Sequence, residues 1–74
     1  MAYKVGRCLL QKRLDELDMT QIELAEKLNV SKQQINKYVK NKQKMSLKVA
    51  GNVAFVLKCH IEDLYEWVEV GENE

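Results

Sequence analysis

Seventy-four residues, 46% hydrophobic and 31% charged, suffice for one small domain around one core. No apolar run approaches the roughly 18 residues of a membrane-spanning helix, and the N-terminus lacks the apolar core of a signal peptide, so a cytoplasmic protein without membrane contact is expected. The net charge of +1 hides an asymmetry: residues 1–58 hold all 12 basic residues against five acids, a balance of +7, whereas residues 59–74 hold six acids and no base.

Proline is absent, glycine is limited to Gly6, Gly51 and Gly71, and β-branched residues show no sustained alternation, which predicts an all-helical chain. A first helix is expected from about Val5 to Leu17, where Leu10, Leu14 and Leu17 recur at helical spacing with Cys8 and Leu9 near the same face. Asp18 and Met19 form the connection. Thr20 with Glu23 three residues later is a capping box, so a second helix should begin at Gln21, turn Leu24, Ala25 and Leu28 inward and stop at Asn29, which tolerates left-handed geometry.

Ser31 is a cap for a third helix over about Lys32 to Lys40. Ile35 and one side of Tyr38 or Val39 turn inward there, and Lys32, Gln33, Asn36 and Lys37 form an exposed stripe. Asn41 is a second left-handed stop, Lys42 to Met45 a basic loop, and Ser46 the cap of a fourth helix with Leu47, Ala50, Val53, Ala54 and Leu57 on its inner face. Ile61, Leu64, Tyr65 and Val68 share a face of a fifth helix over Ile61 to Val68. Its early acids Glu62 and Asp63 suit the positive end of a helix dipole. Residues 1–70 thus form one all-α five-helix domain, and residues 71–74 an acidic flexible tail.

Cys8 and Cys59 belong to no CxxC pair, and only His60 could join them as a ligand, so reduced, packed thiols are expected rather than a disulfide or a metal site. No nucleophile, carboxylate pair or phosphate-cradling glycine loop surrounds His60. Neither enzymatic activity nor a cofactor is expected.

Two helices joined by a tight turn at a steep angle need a small residue in the first, a positive φ in the turn and a branched apolar plug in the second. Ala25, Asn29 and Ile35 fall where those requirements fall. The second helix and the loop after it lie in the stretch Ser31–Lys48, which carries six lysines and no acid. That is the layout of a helix-turn-helix reading DNA.

The run Thr20-Gln21-Ile-Glu-Leu24-Ala25-Glu-Lys-Leu28-Asn29-Val30-Ser31 resembles the signature of the phage-repressor family of Cro and lambda-repressor type, and Ser46-Leu47 and Ile61-Glu62-Asp63-Leu64 resemble its later helix starts. The family favours glycine where Asn29 and Asn41 stand. Many members pair a buried Arg with a Glu where this chain has Leu14 and Val39, so an apolar contact is expected in place of the ion pair. The resemblance implies a DNA-binding transcriptional regulator, most simply a repressor, whose partner is a double-stranded DNA operator. It implies that Gln21 touches a phosphate and that Lys32, Gln33 and Asn36 reach base edges. Lys37 suits either task.

The chemistry agrees, since Gln and Asn can pair bidentately with adenine and Lys favours the acceptors of guanine. Ser31, Lys40, Asn41, Lys42 and Lys44 are the further phosphate candidates. Tyr65, Trp67, Val68 and Val70 concentrate apolar surface at the C-terminal end, which suggests a homodimer on a near-palindromic operator. The competing reading is a protein-interaction module of antitoxin or antirepressor type that keeps the fold and binds another protein through its acidic end.

Overall fold

The computed structural model describes residues 2–70. In chain order they form β1 (Ala2–Cys8), α1 (Leu10–Glu16), α2 (Gln21–Leu28), α3 (Lys32–Val39), α4 (Leu47–Leu57), a single 3-10 turn (Ile61–Leu64) and β2 (Tyr65–Val70). The expected acidic tail lies outside the described residues.

The three central helices start and stop as their local chemistry demands. Thr20 Oγ1 accepts the Glu23 N–H at 3.1 Å and the Glu23 carboxylate accepts the Thr20 N–H at 3.0 Å, closing the capping box before α2. Ser31 and Ser46 cap α3 and α4 by accepting the N–H groups of Gln34 and Val49. Asn29 and Asn41 are both left-handed, with φ of 57° and 60°. Two further left-handed residues, Asp18 and Lys58, carry no local signature that announces them.

The all-α, five-helix expectation fails at both ends of the chain. β1 and β2 pair antiparallel as a two-stranded ribbon, with Ala2 opposite Val70, Lys4 opposite Val68, Val5 opposite Trp67 and Cys8 opposite Tyr65. The helical spacing of Ile61, Leu64, Tyr65 and Val68 overlaps Tyr65–Val70, a run of aromatic and β-branched residues broken only by Glu66 and Glu69. Such residues take the strand once a partner strand covers them. Accordingly the fifth helix shrinks to the turn Ile61–Leu64. The first helix starts only at Leu10, because Val5 and Cys8 belong to β1.

The ribbon is irregular between Val5 and Cys8, where β1 bulges past Glu66. A Cβ on Gly6 would stand 2.9 Å from Glu66 Cβ, so only glycine lets the strands approach there. Arg7 donates to the Glu66 carboxylate from its backbone N–H at 3.2 Å and from its guanidinium at 3.4 Å. These bonds hold the Glu66 carboxyl below its ordinary range. Because the pair is exposed, it fixes geometry more than it stabilises.

The core draws on every helix: Leu10 and Leu14 from α1, Leu24 and Ala25 from α2, Ile35 and Tyr38 from α3, Ala50, Val53, Ala54 and Leu57 from α4, and Leu64 from the 3-10 turn. Leu14 is buried in it and Val39 packs against it, and among the described residues no polar or charged residue is buried. Leu47, expected inside, is 77% exposed. It shares the angular position of Ala54 but sits in the first turn of α4, where no element covers it.

Replacing Gly6 by Ala should cost about 1–3 kcal/mol, as overpacking against Glu66 Cβ forces the strands apart. Replacing left-handed Lys58 by Gly should instead raise stability by about 1 kcal/mol. Urea unfolding of each variant against the parent measures both.

Candidate nucleic-acid interface

The interface is built from the turn between α2 and α3. Ala25 and Ile35 are buried, and α2 and α3 pack directly on one another. At the end of α2 the chain reverses through left-handed Asn29, with the Val30 N–H donating to Ala25 O at 3.0 Å. α3 then starts at Lys32 with Ile35 and Tyr38 turned inward, which leaves Lys32, Gln33 and Lys37 exposed and Asn36 half-buried.

Those four residues line one shallow concavity together with Lys42. Lys32 and Asn36 also border a neighbouring hollow formed by Gln11, Asp15, Asp18, Thr20 and Gln21. The base-reading candidates thus come together, with the start of α2 on one side and the basic loop on the other. The first-turn N–H groups of Gln21 and Ile22 find no acceptor among the described residues, leaving donors for an anion beside Lys32.

All six lysines between Ser31 and Lys48 are exposed. Among the described residues the ion pairs are Arg7–Glu66 and Arg13–Glu16, and neither involves this stretch. From Lys27 to Ile61 the sequence contains no acid at all. No ion pair thus neutralises the lysines of α3 and its loop, and the acids beside them are Asp15 and Asp18, which share the neighbouring hollow with Lys32.

Three phosphate candidates have structural tasks that their residue types alone do not reveal. Gln21 Nε2 donates to Gln11 Oε1 at 2.8 Å, and Gln11 in turn donates to Asp15 at 2.8 Å. Gln21 Oε1 is buried without a hydrogen-bond partner. Held this way, the Gln21 side-chain amide is committed within the protein while its main-chain N–H stays without an acceptor. Ser31 Oγ is occupied as a cap acceptor, although its hydroxyl proton remains free to donate. Asn41 Oδ1 accepts the Cys8 N–H at 2.9 Å and so ties β1 to the end of α3. Lys40, Lys42 and Lys44 stand exposed on the loop as expected.

The four dimer candidates do not form one patch. Alternation along β2 sets Tyr65 and Trp67 on one face of the ribbon, Val68 and Val70 on the other. Tyr65 is half-buried, and its hydroxyl oxygen accepts the Met45 N–H at 3.0 Å, bracing the basic loop from behind. Burial pushes the Tyr65 phenol up, and burial likewise raises the Cys8 thiol, which the Leu10 N–H and the Tyr65 hydroxyl partly offset. Trp67 donates its indole N–H to Glu62 O at 2.8 Å.

Sequence reasoning missed Gln11, Gln34 and Gln43 as well as the bracing task of Tyr65. Gln34 donates to Gln43 Oε1 at 3.1 Å and braces the same loop against α3. None of these pairs has a local signature, since each depends on how separate elements meet. Cys8 and Cys59 are free thiols, and no helix among the described residues is long and apolar enough to cross a membrane.

Comparison with known proteins agrees with this geometry. The profile of the Cro/C1-type HTH DNA-binding domain matches residues 9–69. An SPbeta prophage-derived uncharacterized HTH-type transcriptional regulator, YopS of Bacillus subtilis (strain 168), is 37% identical over 65 residues, covering 86% of this chain and 88% of YopS. The crystal structure of the transcriptional regulator VanUg superposes with a TM-score of 0.70 at 31% identity, over 95% of this chain and 92% of VanUg. A transcriptional regulator from Listeria innocua shares the fold, with a TM-score of 0.64 at 18% identity over 100% of this chain and 68% of its own. The chain belongs to the Cro/C1-type helix-turn-helix DNA-binding family and is a DNA-binding transcriptional regulator.

Proposed function

We propose that the chain recognises a specific double-stranded operator by laying α3 in the major groove. The observation that carries this reading is the gathering of Lys32, Gln33, Asn36 and Lys37 on one face of α3, in a concavity shared with Lys42 whose lysines form no ion pair. Gln33 and Asn36 supply amide pairs suited to adenine, and Lys32 and Lys37 supply donors suited to guanine acceptors or to phosphate. Lys40, Lys42 and Lys44, with the first-turn N–H groups of α2 and the hydroxyl of Ser31, grip the backbone on either side. A homodimer would place two such helices in successive major grooves, roughly 34 Å apart, on a near-palindromic site. Occupying that site blocks access by other proteins, the simplest route to repression.

The loop that holds Lys42 and Lys44 is braced by Tyr65, so Tyr65 is a positioning residue for phosphate contact. Its removal should weaken binding on every sequence alike, because the bases are read from α3 and not from the loop.

Selecting bound duplexes from a random pool and titrating the winner tests the reading. Replacing Gln33 or Asn36 by Ala should cost about 1–3 kcal/mol on the selected site and relax preference at particular base positions. Replacing Lys42 or Lys44 by Ala should weaken all sequences and lower the salt slope by about 1 each. Binding that ignores both salt and the α3 replacements would overturn the proposal. Tyr65→Phe should lose about 1 kcal/mol of affinity with base preference unchanged. The Lys44→Ala penalty should shrink in the Tyr65→Phe background, whereas strict additivity would remove the positioning role.

A further inference from the structure

Helix α4 carries an apolar ridge that the chain itself leaves uncovered. Phe55 is 85% exposed and Leu47 77% exposed, the two most exposed large apolar residues among those described. They stand four residues to either side of Gly51, so Leu47, Gly51 and Phe55 make a single i±4 row with a notch at its centre. Ile61 lies beside the notch, its Cδ1 3.9 Å from where a Gly51 Cβ would be, and is itself exposed.

Nothing within the chain requires glycine at this position. Gly51 has helical geometry without a positive φ, and an added Cβ would meet only an ordinary van der Waals contact with Ile61. A glycine inside a helix costs about 1 kcal/mol relative to alanine. Two large exposed apolar residues flanking such a glycine are knobs beside a hole, the relief that lets a second helix approach closely.

We infer that two copies of the chain meet through this ridge, α4 crossing the partner's α4 at Gly51. The inference rests on the homodimer proposed above and supplies its surface. A second copy is the occupant because the row is self-complementary: under a two-fold axis each copy offers knobs to the other's notch, and the two glycines meet at the crossing. The area also suits a dimer. Phe55, Leu47 and Ile61 together present on the order of 400 Å² of apolar surface per copy, about half the ~800 Å² each partner buries in a standard interface, with exposed Lys48, Lys58 and Glu62 as a polar rim. DNA is not the occupant. The opposite flank of α4, through Val49 and Asn52, is the one that borders Leu28, Val30, Ile35 and Tyr38 of the helix-turn-helix. The ribbon's apolar face, Tyr3, Val5 and Trp67, has no comparable notch, and Trp67 there is bonded to Glu62.

Sedimentation velocity on the full chain, with circular dichroism melting of each variant, tests the surface. The expected result is a wild-type dimer whose dissociation constant rises at least about tenfold in Phe55→Lys and in Gly51→Leu, while Val68→Lys on the ribbon leaves it unchanged. Phe55→Lys should melt no lower than the wild-type monomer because residue 55 is 85% exposed, and Gly51→Leu should stay folded because its Cβ meets Ile61 only at van der Waals distance. A wild-type dimer untouched by both α4 variants, or one dissolved by Val68→Lys alone, overturns the α4 surface and leaves the homodimer standing. A wild type monomeric at every concentration and on its operator removes the homodimer and the surface together.

Discussion

The steep crossing of α3 over α2 governs the rest of this domain, and it depends on one peptide unit reaching positive φ at Asn29. Ala25 is small enough to let the helices close, and Ile35 is buried opposite it. Because Ile35 and Tyr38 are committed to the core, the period of the helix forces Lys32, Gln33, Asn36 and Lys37 outward as a set. The outward polar stripe is therefore the geometric complement of the core stripe. Its rigidity comes from burial and not from contacts among the polar side chains themselves.

A second constraint is the closure of the chain on itself. A two-stranded ribbon is marginal in water alone, and this one survives by resting its inner end on the core through Cys8 and Tyr65. Three hydrogen bonds secure that end: Leu9 N–H to Leu64 O just beyond the strands, Cys8 N–H to Asn41 Oδ1, and Met45 N–H to the Tyr65 hydroxyl. Two of the three end on the segment between α3 and α4. The strands thus steady the basic loop that carries Lys42 and Lys44.

Charge is partitioned in the same way. The acids Glu62, Asp63, Glu66 and Glu69 belong to the 3-10 turn and β2, whereas six lysines that form no ion pair belong to α3, its loop and the start of α4. A net charge near zero therefore coexists with a locally positive face. Glu66 is held by Arg7 across the ribbon, and Asp63 Oδ2 accepts the His60 N–H, so part of the acidic charge serves local structure.

What the sequence determined by itself was everything set by neighbours within a few residues. The capping box at Thr20 and Glu23, the caps at Ser31 and Ser46, and the left-handed Asn29 and Asn41 are contacts of near neighbours, and each appears where its residue type required. The lysine stretch and the core faces of α2 and α3 follow from the helical period and are equally local. Tertiary structure alone decided the two strands, because Val5 meets Trp67 across 62 positions and no window of sequence contains both. It also decided that Asn41 holds Cys8, that Tyr65 braces Met45 and that Leu47 faces solvent, since a side chain's partners depend on which distant element arrives beside it.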